Sequence, residues 1–232
     1  MTRVLSYTKA TFNEQILKPI NLIHKETLDD NDFTEILTYL NAFMLIGENI
    51  TCKNARIGEL WNEIISDTLA SLCSASSGFY RSAIIVLRSI LELGCNSFFY
   101  YDHPIEYQMF KQENLKADKY VSTLVNDYSF FATKYIKTFL PEIEDKQSSI
   151  NSVSDFLKKN YGELSDSLHG RYNNLTKTDG LQLKYDKVWF KRYEKHFLSV
   201  LSILAVLYVL RFKDTSDANI KSLAKKSKVV SI

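Results

Sequence analysis

The sequence predicts an all-α fold, a helical bundle of about seven to nine helices, from two observations. The 232 residues include only 7 Gly and 3 Pro, fewer turn-forming residues than all-β or loop-rich folds need. Apolar side chains also recur at helical spacing over several long segments. Because 45% of the residues are hydrophobic, one sizeable core can form, and a single domain is the default at this length.

Helical periodicity predicts helices, in chain order, over 8–26, 32–50, 56–76, 79–101, 105–126, 128–140, 148–168 and 186–213. Pro19 should kink or restart the first of these. Residues 170–185 form the longest stretch without helical periodicity, and the alternation of Leu181, Leu183 and Tyr185 beside Asp179-Gly180 is compatible with a small hairpin near 173–185. We expect one bundle domain over 1–215 and a frayed basic tail over 216–232.

The composition argues against several classes of protein. The formal charge of +2 is nearly balanced, so a nucleic-acid site would have to be a local patch. Cys52, Cys73 and Cys95 are odd in number and lack C-x-x-C spacing, which favours reduced, buried thiols over disulfides or a zinc site. The N-terminal segment has no apolar core, so we expect no signal peptide.

The longest apolar run, 197–210, is shorter than the roughly 20 residues of a membrane span. We therefore expect a buried core helix there, no membrane association and a cytoplasmic location. Glu59, Glu63 and Asp67 stand four residues apart on a predicted helix. A metal site would be one interpretation, but no His joins them, so a solvated face is favoured. The sequence has neither G-x-G-x-x-G nor a P-loop, and we expect no cofactor.

The segment 79–101 is the most apolar and should form the central helix. It carries Arg81, Arg88 and Glu92 on one face, with Arg88 and Glu92 four residues apart. Charges on such a helix must be paired or must face a cleft. Two interpretations stay open: a buried ion pair that orients helices, or a cleft in which Glu92 orients Arg88 toward an anion.

His169 lies at the end of a helical pattern, with Gly170 in the position of a C-cap. A lone His is usually a packing residue. This one is followed by Arg171 and precedes the longest non-helical stretch, and His is the side chain that exchanges a proton near neutral pH. A catalytic role is the second interpretation.

The pairing of GFYRSAIIVLRSILE (78–92) with YGELSDSLHGRY (161–172) resembles the HEPN superfamily. Those are small helical-bundle proteins of prokaryotic toxin–antitoxin and anti-phage systems, and many are metal-independent endoribonucleases. Their ribonuclease members usually carry an Arg, a polar residue, three variable residues and then the His. Alignment on His169 puts Leu164 at the Arg position and Ser165 at the polar one.

The resemblance implies RNA cleavage in which the 2′-hydroxyl attacks the adjacent phosphate. The implied catalytic residues are His169, which moves the proton, and Arg88, oriented by Glu92, which takes the place of the absent motif Arg. Substrate-binding roles are assigned to Arg81, Tyr161, Ser165, Arg171 and Tyr172. The resemblance also implies a homodimer. The alternative is a catalytically degenerate binding or regulatory subunit that partners an effector encoded nearby.

A second candidate element for RNA begins the last long helix. Lys187, Lys191 and Lys195 form a basic ridge with Trp189 and Tyr193 interleaved, the composition of a groove for single-stranded nucleic acid. The other interpretation is that the aromatic side chains point into the core while the lysines are only solvated. Arg192 and His196 are also an Arg–His pair, but their spacing is one residue short of the motif.

Overall fold

The computed structural model describes residues 8–53, 55–113, 120–146, 152–168 and 184–231, and within these ranges it is helical and without a β-strand. The predicted all-α bundle is confirmed. The helices are α1 (Lys9–Phe12), α2 (Lys18–Asp30), α3 (Thr34–Lys53), α4 (Ala55–Ser76), α5 (Tyr80–Asp102), α6 (Pro104–Gln112), α7 (Val121–Asp127), α8 (Thr133–Lys137), α9 (Ile143–Lys146), α10 (Val153–Leu168), α11 (Lys187–Phe212) and α12 (Ala218–Lys226).

Pro19 restarts the first helical segment, as predicted. A π-helical turn over Asn13–Leu17 separates α1 from α2, and the Lys18 N–H donates to the Asn13 carbonyl, five residues back. Proline clashes with the carbonyl four residues before it, so widening the turn ahead of Pro19 removes the conflict. The helix then continues to Asp30.

The centre of the bundle consists of α4, α5 and α11, of which α5 and α11 run parallel. Tyr80 at the start of α5 meets Asp186 at the start of α11, and Asp102 at the end of α5 pairs with Arg211 near the end of α11. Gly94 of α5 faces Leu204 of α11 midway. The predicted central position of 79–101 is therefore confirmed.

The segment 197–210 is a buried helix, as expected, since nearly every residue of this half of α11 is excluded from solvent. Two helices, Tyr80–Asp102 and Lys187–Phe212, are long and apolar enough to cross a membrane by length and composition. Most of each apolar window is buried inside the bundle, as in the core helix of a soluble protein. The absence of a membrane association remains a prediction.

The helix α10 runs antiparallel to α11 and therefore to α5. Asn160 accepts a hydrogen bond from Ser199, and Glu163, three residues further along α10, faces His196, three residues back along α11. The C-terminal end of α10 thus points toward the end of the bundle where α5 and α11 begin. The chain returns to that end at Lys184, whose carbonyl lies against Gly78.

The predicted frayed tail is wrong. Residues 218–226 form α12, which packs on α11 and α3 and buries Ile220, Leu223 and Ala224. These residues are spaced i, i+3, i+4, which gives the helix one apolar face. The Asp217 carboxylate accepts hydrogen bonds from the Asn219 and Ile220 N–H groups and caps the helix.

The predictions of continuous helices over 105–126 and 128–140, and of three buried cysteines, also need correction. The segment 105–126 contains two helices, α6 and α7, and within 128–140 only Thr133–Lys137 is α-helical; the positive φ of Ser129 and Phe131 interrupts regular helix. Cys52 and Cys73 are exposed, and only Cys95 is buried as expected. The predicted hairpin lies mostly outside the described residues, and its described end, 184–186, has no strand.

Candidate functional site

Arg88 and Glu92 of α5 meet Tyr161 of α10 in a closed set of hydrogen bonds. Arg88 Nη2 donates to Glu92 Oε1 at 3.1 Å and to the Tyr161 hydroxyl at 2.7 Å. The Tyr161 hydroxyl in turn donates to Glu92 Oε1 at 2.9 Å. The guanidinium carbon also lies 5.0 Å from the centre of the Tyr161 ring, within cation–π range. We call these three residues the Arg88 triad.

The Arg88 triad is partly shielded from water, with 13% of the Arg88 side chain and 25% of the Glu92 side chain exposed. Burial lowers the pKa of Arg88, but the hydrogen bond to Tyr161 and the charge of Glu92 outweigh it and raise the pKa overall. Burial, with the hydrogen bond to Glu92, raises the pKa of Tyr161. At neutral pH the triad therefore holds a charged guanidinium beside a neutral phenol.

Two buried polar atoms, one on α5 and one on α10, have no hydrogen-bond partner within the part of the chain that the structure describes. They are Arg88 Nε and Ser165 Oγ. A buried donor without a partner costs roughly 1–3 kcal/mol, so such atoms are uncommon in folded proteins. Ser165 lies one helical turn beyond Tyr161 on the same face of α10. The triad and Ser165 together offer unused hydrogen-bonding capacity next to a fixed positive charge.

The polarity of the helices places the remaining predicted residues. Because α10 runs antiparallel to α5, its end at Leu168 lies toward the start of α5, where Arg81 is exposed. Arg81 makes an interaction of its own there. His169, Arg171 and Tyr172 lie outside the described residues. The structure thus brings Arg88, Glu92 and Tyr161 into contact and places Ser165 one helical turn from Tyr161 on α10.

Leu164, at the position of the motif Arg, is fully buried in the hydrophobic core. It therefore faces away from any open cleft, and no arginine on α10 substitutes for it, since α10 contains none. Of the arginines on the described residues near this interface, Arg88 is the one held against α10.

The lysine ridge is largely engaged in ion pairs. Lys187 Nζ lies 2.9 Å from Asp30, and Lys191 Nζ lies 2.8 Å from Glu194. Tyr193 and Phe197 are buried, so neither ring is available to stack on a base. Trp189 is half-buried and its ring carries the Arg192 guanidinium at 5.0 Å. Here the core interpretation of the aromatic residues is the better description, although the lysine side chains remain exposed.

The acidic face of α4 agrees with the solvated interpretation. Glu59 and Glu63 are exposed, and Glu59 pairs with Lys111 of α6 at 2.9 Å. Burial and the neighbouring Glu63 raise the pKa of Asp67. Within the described ranges, no group of three or more His, Cys, Asp or Glu side chains is arranged to hold a metal ion.

Two features of the site were not predicted from the sequence. The first is the hydrogen bonding of Tyr161 to both members of the Arg88–Glu92 pair, which joins residues 73 positions apart. The second is Tyr120, at the start of α7, which lies close enough to raise the pKa of Arg88 electrostatically. The sequence offered one signal for this site: Tyr161 and Ser165 are four residues apart and therefore lie on the same face of a helix.

The chemistry of the arrangement suits an anion: the guanidinium is held by Glu92 and Tyr161, and its buried Nε and the buried Ser165 hydroxyl have no hydrogen-bond partner among the described residues. Compared with protein-family models, curated proteins and solved structures, the chain has no significant match.

Proposed function

We propose that this protein acts on RNA as a metal-independent endoribonuclease, with the Arg88 triad at its phosphate-binding centre. The observation that carries the proposal is Arg88 itself. Its guanidinium is fixed from two sides, while its Nε is shielded and has no partner among the described residues. A guanidinium suits a phosphate group, because two oxygens of the tetrahedral anion match the spacing of its N–H donors.

The proposed reaction needs one proton shuttle and one cation. The 2′-oxygen of the RNA attacks the adjacent phosphorus while His169 removes its proton, and the bond from phosphorus to the 5′-oxygen breaks. That oxygen takes the proton that His169 accepted, leaving a 2′,3′-cyclic phosphate and a free 5′-hydroxyl. Arg88 stabilises the negative charge that develops on the phosphoryl oxygens. Glu92 and Tyr161 are positioning residues that hold the guanidinium.

The chain's other predicted properties belong to the same proposal. We propose a cytoplasmic homodimer that contacts RNA through Arg81, Ser165, Arg171, Tyr172 and the lysines of α11. The ion pairs of Lys187 and Lys191 must then be exchanged for phosphate contacts. Surface ion pairs contribute at most about 1 kcal/mol to stability, so their replacement by phosphate contacts costs little free energy.

A second candidate function is a binding or regulatory subunit of the same kind of defence system, without catalysis. The observation that favours it is Leu164, which is fully buried where the ribonuclease motif has its Arg. In this function the Arg88–Glu92–Tyr161 contacts hold α5 against α10 and give a rigid surface to a partner protein. The effector would be a separate protein encoded nearby.

The test is cleavage of single-stranded RNA in the presence of EDTA by wild type, His169→Ala and Arg88→Lys. Loss of a general acid–base costs about 10²–10⁴-fold in rate, and loss of a charge-stabilising donor about 10²–10³-fold. Arg88→Lys keeps the charge and removes the fork, so the fold is less disturbed than by truncation. Arg56→Lys, on the exposed surface of α4, is the matched control and should cleave at the wild-type rate.

The substrate provides a second control. DNA of the same sequence should not be cut, because it lacks the attacking 2′-hydroxyl, and the RNA products should end in a cyclic phosphate. An equal rate for wild type and His169→Ala would remove His169 from the mechanism. No RNA cleavage by the wild type, together with capture of a second protein through α5 and α10, would establish the non-catalytic candidate instead.

A further inference from the structure

A cleft opens on the flank of α10 opposite Tyr161. It encloses about 540 Å³ between α10, α11, α12 and the first turn of α3. Ligand pockets commonly enclose about 300–1,000 Å³, so the cleft has room for a small organic molecule. It exists because α12 packs back on α11 and α3, and it was not apparent from the sequence.

The inner surface of this cleft presents hydrogen-bond acceptors. The Ser199 hydroxyl donates to Asn160 Oδ1 at 2.6 Å, and the Ser227 hydroxyl donates to the Ala224 carbonyl at 2.9 Å. Each hydroxyl uses its one hydrogen in these bonds. The Ser227 oxygen also accepts from the Val229 N–H at 3.5 Å, and each oxygen keeps a lone pair that can accept from an N–H or O–H donor of a ligand.

Four lysines and three glutamates line the cleft, so its rim carries a small excess of positive charge. Lys191 pairs with Glu194, Lys226 pairs with Glu35 at the α3 side, and Glu163 lies 3.9 Å from His196. Lys159 and Lys195 also line the cleft, and neither makes an ion pair within the described ranges. Two ammonium groups without carboxylate partners, on facing helices, provide a site for an anionic group at the mouth of the cleft.

The third property is an apolar wall formed by Phe156 of α10 and Leu198 of α11. Both side chains pack on the hydrophobic core, and Phe156 remains half-buried. An apolar surface beside acceptors and ammonium groups is complementary to a molecule with a ring, hydroxyl groups and an anionic end.

We infer that this cleft binds a small phosphorylated sugar, free or as part of a nucleotide. Lys159 and Lys195 hold the phosphate, the hydroxyls of Ser199 and Ser227 accept from the sugar hydroxyls, and the ring lies against Phe156. The site lies apart from the Arg88 triad and does not depend on RNA cleavage, although Lys195 belongs both to this cleft and to the lysines of α11 proposed to contact RNA. Because α10 contributes to both, occupancy of this cleft fixes the helix that carries Tyr161 and Ser165.

The test is isothermal titration calorimetry of the full chain with AMP, ribose 5-phosphate, ribose and inorganic phosphate. We expect AMP and ribose 5-phosphate to bind, with inorganic phosphate and ribose each weaker by about tenfold or more, since each keeps only part of the contacts. If AMP alone binds, the ligand is a nucleotide. If both phosphorylated compounds bind alike, the sugar phosphate is the recognised part.

Lysine substitutions test whether the ligand binds in this cleft. The double variant Lys159→Gln, Lys195→Gln should weaken binding of both phosphorylated compounds about tenfold or more, because charged hydrogen bonds to phosphate are lost. The matched control Lys158→Gln, Lys225→Gln removes two lysines that are exposed on the same helix set but do not line the cleft. It should bind as the wild type does. All four lysines are exposed, so the variants should fold.

Ser199→Ala tests separately the hydrogen-bond acceptors on the inner surface of the cleft. It should weaken ribose 5-phosphate and leave inorganic phosphate unchanged. Inorganic phosphate binding as tightly as AMP would overturn the inference, because the site would then be for an anion only. So would the absence of binding by every compound, or equal affinities for the cleft variant and its control.

Discussion

Arg88 Nη2 lies 2.7 Å from the Tyr161 hydroxyl oxygen, and this hydrogen bond joins α5 to α10 across 73 residues of chain. The same hydroxyl donates to Glu92, so one phenol connects both charges of the ion pair. The bond fixes the position of α10 along α5. It therefore also determines at which end of the bundle α10 ends, at Leu168.

Tyr161→Phe should therefore destabilise the fold although it removes a single oxygen. Arg88 and Glu92 each lose a partner at a partly buried site, which costs about 1–3 kcal/mol. Urea unfolding followed by circular dichroism measures the change. Tyr120→Phe is the matched control, since Tyr120 is 54% exposed, and its free energy of unfolding should stay within about 0.5 kcal/mol of wild type. Equal effects of the two substitutions would contradict the structural role of the Tyr161 hydroxyl.

Gly94→Ala should destabilise the contact between the two central helices. A Cβ at Gly94 would lie 2.6 Å from Leu204 Cδ2 and 2.8 Å from Cδ1, and overpacking of a core costs about 1–3 kcal/mol. Gly162→Ala is the control because nothing lies within 4 Å of its Cβ position on α10. In that helix Ala is favoured over Gly by about 1 kcal/mol. The two midpoints of unfolding should shift in opposite directions, and a shift in the same direction would refute the close approach.

His196 should make the protein less stable as the pH falls. Burial lowers its pKa below the ordinary value of 6.5, while Glu163 acts in the opposite direction and Arg192 and Lys195 add to the lowering. Above pH 6.5 the ring is neutral in both states. Below it the unfolded chain takes the proton first, so the free energy of unfolding decreases by at most about 1.4 kcal/mol per pH unit until the folded ring is protonated.

The measurement is the free energy of unfolding between pH 5 and pH 8 for wild type and His196→Gln. Carboxylates contribute to the slope in both proteins, so the difference between the two curves isolates His196. The wild-type curve should fall more steeply below about pH 6.5. Parallel curves would show that the buried ring does not titrate differently in the folded state.

Leu223→Ala tests whether α12 belongs to the core. Leu223 is fully buried, and truncation of a buried leucine costs about 2–5 kcal/mol. Lys225→Ala, two residues on and exposed, should have little effect on the free energy of unfolding. If both variants unfold like wild type, the C-terminal helix does not contribute to the stability of the bundle.

Much of the fold could be predicted from the sequence because a helix with one buried face has apolar residues at helical spacing. The apolar positions of 56–76 and the apolar run of 197–210, which only Ser199 and Ser202 interrupt, become the faces that α4 and α11 bury. The errors have local causes. In 218–226 the lysines obscured the i, i+3, i+4 spacing of Ile220, Leu223 and Ala224 and the capping Asp217. In 105–140 Ser129 and Phe131 have a left-handed backbone conformation that interrupts the helix. Neither residue is a glycine, so the sequence does not mark these two positions.

The site was predictable only within one helix. The pairing of Arg88 with Glu92 follows from i, i+4 geometry and is present. The contact with Tyr161 depends on the relative position of two helices distant in sequence, which periodicity does not specify. The cleft between α10, α11 and α12 forms because α12 packs on α11 and α3. No local pattern in the sequence predicts it. The assignment of His169 as the catalytic base remains a prediction.

The parallel packing of α5 and α11 has a consequence for the order of folding. Their end contacts join residues 106 and 109 positions apart. The preceding helix α4 can cover one face of α5 early, but the face that packs on α11 has no permanent cover until more than a hundred further residues have been synthesised. Loop closure over such distances slows folding and prolongs the exposure of apolar surface. On the ribosome, α5 should therefore depend on chaperones, and mutations that delay its pairing with α11 should lower the yield of soluble protein before they alter any activity.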